Sequence, residues 1–126
     1  MVQVETAQLT AECTDWRQTL RNYREEFTND KAKLQQAAGQ PLSKDQLQDV
    51  EHLHNQFHIQ LINIHDVKQA IKNHERKMDY ELNVNSGQLN DETLAQHENL
   101  YNDYQRLEQT LLELRGEFNL FLERTS

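Results

Sequence analysis

The sequence is short of everything that interrupts a helix or staples a small fold. It has one proline, Pro41, and three glycines, Gly39, Gly87 and Gly116, in 126 residues. So few breakers leave room for long helices, and no strand-like alternation of useful length competes with them. A single cysteine, Cys13, rules out an intrachain disulfide. No stretch of about 18 apolar residues suits a membrane span, and no signal-peptide hydrophobic segment follows Met1, so a cytoplasmic protein is expected. Three glycines cannot build a phosphate-cradling loop, and no serine stands in a glycine-flanked elbow. Neither an enzyme nor a cofactor is expected.

Polar side chains are abundant. Asn and Gln fill 26 positions, 27% of residues are charged and 36% are apolar, which suits narrow seams better than a wide interior. The formal net charge is −8 and becomes more one-sided along the chain: residues 88–126 carry three basic and eight acidic side chains. Such a surface repels phosphate, so neither nucleic acid nor an anionic membrane is expected as the main partner. Two basic stripes exist nonetheless, Arg17, Arg21 and Arg24 in one segment and Lys68, Lys72 and Arg76 in another. They read as solvated helix faces with pairs such as Arg21–Glu25.

Apolar spacing defines three helices, at about 5–37, 44–83 and 91–124. The first carries Leu9, Cys13, Trp16, Leu20, Tyr23, Phe27 and Leu34 at steps of four and three, broken once near Asp30 or Lys31. Cys13 falls on this stripe and reads as a small buried hydrophobe rather than a reactive thiol. Ala38-Gly39-Gln40-Pro41 ends the helix, with glycine as the cap signal. Ser43 and Gln46 spell a capping box for the second helix, flanked by Leu42 and Leu47 as a staple. Its seam reads Leu47, Val50, Phe57, Leu61, Ile64, Ile71, Met78 and Leu82, with Leu53 and Val67 from one side. Lys68 and Glu75 stand where a strict heptad wants apolar residues, so the face should drift. After Asn83–Gln88, Leu89 and Leu94 bracket the next helix start. The third seam is His97, Leu100, Tyr104, Leu107, Leu111, Leu114, Phe118 and Phe121. The expected fold is all-α, an elongated antiparallel up-down-up three-helix bundle with coiled-coil-like seams, forming one domain over 1–126.

Trp16, Leu47-x-x-Val50-x-x-Leu53, Leu82 through Gly87 to Leu94, and Leu100-x-x-x-Tyr104-x-x-Leu107 together resemble a spectrin-type repeat. Tyr104 stands where that family usually has a second tryptophan. The resemblance implies a spacer or protein-docking module without catalytic residues.

Two sets of residues are candidate sites. His54, His58 and His65 lie within about 40° of one another on the second helix. A His pair at i and i+4 chelates zinc or nickel when further ligands converge. A hairpin turning near Gln40 should bring Glu26 and Asn22 opposite His54 and His58, so His54, His58 and Glu26 form a possible metal set. The competing and preferred reading makes these histidines the flank of the apolar face, ring packed and tip wet. Glu51-x-x-His54 spells only half of a di-iron pattern, which needs the pair twice and a fourth helix. Of the other histidines, His97 is a seam position, His52 points elsewhere and His74 lies far along the second helix. The second set is Ile59, Ile62, Leu94, Tyr101 and Leu112, apolar residues off the main seams that suggest a helix-packing surface. The expected function is therefore a non-enzymatic interaction or structural module that binds another helical protein or itself, with a homodimer as one form. A small metal-binding protein is the alternative.

Overall fold

A computed structural model describes the backbone of residues 2–125 and the side chains of residues 6–125. Met1 and Ser126, the ends of the expected domain, lie outside the described residues. Three helices, α1 (Val2–Ala38), α2 (Lys44–Val84) and α3 (Asp91–Thr125), pack antiparallel in an up-down-up bundle, each in contact with the other two. At 1.5 Å per residue the 41 residues of α2 span about 60 Å.

The two turns stop their helices differently. The first lacks the left-handed glycine that Gly39 suggested, since Gly87 is the one glycine with positive φ. Instead Gly39 N–H donates to Gln36 O and Gln40 N–H to Ala37 O, both at 3.2 Å, a tightened last turn. Pro41 then pushes the preceding residue towards extended backbone and cannot continue the helix. The capping box that follows is present as expected: Gln46 N–H donates to Ser43 Oγ at 3.1 Å and Ser43 N–H to Gln46 Oε1 at 2.9 Å. Leu47, placed on the seam from sequence, is half exposed, because the α2 seam closes further along. The second turn uses positive φ at Ser86 (54°) and Gly87 (83°), and Gly87 N–H reaches back to Leu82 O at 2.9 Å.

The seams are stricter than the apolar pattern suggested. Along α1 the inward positions are Cys13, Trp16, Leu20, Tyr23, Phe27, Asp30 and Leu34. Along α2 they are Leu53, Phe57, Gln60, Ile64, Val67, Ile71, His74, Met78 and Glu81, an unbroken alternation of four and three. On α3 the same alternation runs from Thr93 and His97 to Phe121. The expected drift of α2 does not occur. Lys68 and Glu75 lie beside the seam, and the heptad slots go to Gln60, His74 and Glu81, polar residues that an apolar count passes over. Asp30 fills the break expected in α1 and is almost fully buried. Its Oδ2 lies 3.3 Å from Arg115 Nε, while Arg115 Nη1 donates to Glu26 at 2.7 Å. Burial pushes the Asp30 carboxyl up, and the Arg115 guanidinium opposes that shift.

Candidate functional site

The structure gathers reactive side chains in one layer of the bundle, near the α2–α3 turn. Cys13 from α1, His74 from α2 and His97 from α3 occupy facing heptad slots, and all three are buried. His97 sits at the centre. Its Nε2 lies 2.9 Å from Glu12 Oε2, its Nδ1 lies 3.0 Å from His74 Nε2, and Cys13 Sγ approaches the same Nδ1 at 3.9 Å. An ionised Glu12 oxygen can only accept, so in the neutral His97 ring that meets it the proton is on Nε2 and Nδ1 is the acceptor. That single lone pair then has two claimants, the His74 N–H and the Cys13 S–H. Among the described residues, this is the group of three or more histidine, cysteine or carboxylate side chains whose ligand atoms converge, all within 4.8 Å.

The surroundings fix these rings. Trp16 covers His97 with centroids 4.9 Å apart, and Tyr101 and Tyr104 each lie 5.6 Å from Trp16 in near-parallel planes. Burial lowers the His74 pKa, helped by His97 and Lys77, so its ring is neutral near pH 7. Burial, reinforced by Glu75 and Glu12, pushes the Cys13 thiol up to about 12 against a smaller opposing effect of Arg17. Arg17 is itself engaged, with Nε donating to Glu75 Oε1 at 2.5 Å and Nη2 to Oε2 at 3.2 Å. One heptad from His74, Glu81 accepts from the Asn90 N–H at 2.9 Å and the Thr93 hydroxyl at 2.6 Å, tying the end of α2 to the start of α3. Those two hydrogen bonds, the Thr93 one first, hold its carboxyl below the ordinary glutamate value.

The histidine stripe predicted from sequence is placed elsewhere. His54, His58 and His65 are exposed on α2. Across the groove from His58 and His65 stand Arg24 and Thr28, which with Leu61, Ile62 and Lys68 line a depression of about 430 Å³. Glu26 is turned to α3, where it pairs with Arg115. The structure therefore does not gather His54, His58 and Glu26 into a ligand set. The physical reason is helix phase: Arg24 and Thr28 share the α1 flank that meets α2, and Glu26 lies off that flank.

That groove is cationic. Lys68 is partly buried, and its pKa is lowered by desolvation and then by Arg21, Arg24, Lys72 and Arg17. Among the described residues, Arg21, Arg24, Lys68 and Lys72 have no ion pair, and the expected Arg21–Glu25 pair is not made. Arg21 and Arg24 of one basic stripe thus meet Lys68 and Lys72 of the other as one patch. Ile59, Ile62, Leu94, Tyr101 and Leu112 are all 40–52% exposed, although Tyr101 also lies against Trp16.

Fold and site together define a three-helix all-α bundle with a polar layer in its core. The chain matches no family model, no curated protein and no solved structure. No helix among the described residues is long and apolar enough to cross a membrane.

Proposed function

We propose that the protein is a non-enzymatic helical interaction module that associates with itself, the cationic α1–α2 groove of one copy receiving the acidic α3 of another. The observation that carries this reading is the cluster of Arg21, Arg24, Lys68 and Lys72, without carboxylate partners among the described residues, beside the half-exposed Ile62, in a chain of net charge −8. Gathering like charges costs free energy in the isolated chain, and an acidic helix laid against them relieves it. The α3 region supplies such a helix, with eight acidic and three basic residues over 88–126 and Leu94 and Leu112 exposed between them. The likeness of its seams to a spectrin-type repeat supports the same class of function, a spacer or docking module.

Solution mass tests the reading. Wild type should form a dimer or larger species whose stability falls between low and high salt, because exposed charges are screened within about 10 Å at 0.1 M. Lys68→Glu and Leu112→Glu should each give monomers. A wild type that stays monomeric at high concentration and low salt ends the proposal, as does association indifferent to both changes.

A further inference from the structure

We propose that Cys13, His74 and His97 form a mononuclear transition-metal site, taking a borderline d¹⁰ ion of the zinc class, with Glu12 as the residue that positions His97. The three ligand atoms come one from each helix and already converge without an ion, within 4.8 Å of one another. Tetrahedral zinc with thiolate and imidazole ligands sets neighbouring ligand atoms about 3.3–3.6 Å apart. The observed 3.0 Å between the imidazole nitrogens and 3.9 Å between sulfur and nitrogen bracket that value. One sulfur and two nitrogens suit zinc, whereas magnesium and calcium want oxygen.

The contact between Glu12 and His97 completes the argument. A metal-ligating imidazole commonly donates its other N–H to a carboxylate, which fixes the tautomer and strengthens the ligand. Here His97 Nε2 donates to Glu12 Oε2 at 2.9 Å, which leaves Nδ1 facing Cys13 and His74. Without metal that lone pair is contested by two donors. With metal the contest ends: the ion takes the His97 Nδ1 lone pair, His74 shifts its proton from Nε2 to the Nδ1 of its own ring so that Nε2 can bind, and the Cys13 proton leaves to solvent as the Zn–S bond forms. One proton is released, and the +2 ion, the thiolate and Glu12 sum to zero charge. The Glu12 carboxylate, 2.9 Å from His97, favours a cation in this layer. His74 also lines a depression of about 420 Å³ between α2 and α3, with Asn73, Lys77, Gln96 and Asp103 on its walls. Three protein ligands leave a fourth position for water or another small ligand.

Cobalt(II) titration of the reduced 126-residue chain tests the proposal, since Cys13 is its sole cysteine and any thiolate-to-cobalt charge-transfer band reports on it alone. The expected result is a 1:1 complex showing that band and tetrahedral visible absorption, displaced by zinc, with one proton released per zinc in calorimetry across buffers. Cys13→Ser should abolish the band, and His97→Gln should abolish or grossly weaken binding. Glu12→Gln should weaken zinc binding by about ten- to a hundredfold while keeping the band, as expected of a positioning residue. Variants are compared after circular dichroism shows the helical bundle intact, and the wild-type titration stands whether or not they fold. Absence of a charge-transfer band in folded wild type overturns the proposal. So does binding that survives Cys13→Ser unchanged or that is lost on His58→Gln.

Discussion

Cys13 and Phe27 stand two heptads apart on α1, about 21 Å along the axis, and each faces the same two partner helices. Around Phe27 the facing slots hold aromatic rings. Phe27 meets Phe57 edge-on with centroids 5.3 Å apart, and Phe57 meets Phe118 at 5.2 Å. Around Cys13 the equivalent slots hold His74 and His97. The helical frame is the same in both layers and the chemistry is opposite. Burial of three phenylalanines is non-directional and strongly favourable. Hydrogen bonds among His74, His97 and Glu12 replace equally good bonds to water, so their net contribution is small, yet leaving one partner alone is costly. One layer holds the bundle together; the other constrains which groups must meet.

The largest loss of stability is expected at the aromatic layer. Phe57→Ala should cost about 3–5 kcal/mol in urea unfolding, because both flanking rings lose their contact and the cavity closes only in part. In the polar layer, His97→Leu should cost about 1–3 kcal/mol by leaving the His74 N–H buried without an acceptor. The double change His74→Leu/His97→Leu should recover a large part of that loss, since both buried partners are then apolar and half-exposed Glu12 returns to water. A double variant as unstable as the sum of the singles would show that the layer acts as more than a hydrogen-bonded pair.

Glu81 sharpens the contrast through pH. Glu81→Gln should cost about 0.5–2 kcal/mol near pH 7 by weakening the start of α3. The folded carboxyl sits below its ordinary value of 4.5 and so holds its proton less tightly than in the unfolded chain. Its contribution is therefore fully present above about pH 4.5 and is lost as pH falls through the lowered pKa. Unfolding curves of wild type and variant should converge on acidification; a constant gap down to pH 2 would contradict the assignment. The smallest effect has the opposite sign. Gly116, near the aromatic layer, has open space where a Cβ would stand, and Gly116→Ala should raise stability by about 0.4–1 kcal/mol.

Much of the fold was legible because helices announce themselves locally. The breaker clusters, the Ser43–Gln46 box and the four-three spacing placed all three helices to within a few residues. The polar layer escaped for a definable reason. Cys13 and His97 are seam positions of their own helices, but the apolar members of the α2 seam alone pass over His74. Stepping three from Ile71 lands on His74, as stepping three from Phe57 lands on Gln60 and three from Met78 on Glu81. The strict heptad was in the spacing, hidden by residue type. The Glu26 placement failed differently, because opposition across a hairpin fixes height along the axis and leaves open which side of the helix a residue occupies.

Breaker residues, caps and periodicity act over a few neighbouring positions, so three long helices with continuous inward stripes follow from local sequence alone. Which stripes face each other, and at which height, is set by the packing of the whole bundle. That packing brought Cys13, His74 and His97 from three helices into one buried layer and joined residues of two separate basic stripes into one groove. Such meetings depend on the register and rotation of whole helices against one another, set by the summed packing of every layer, and no local window of sequence contains that sum.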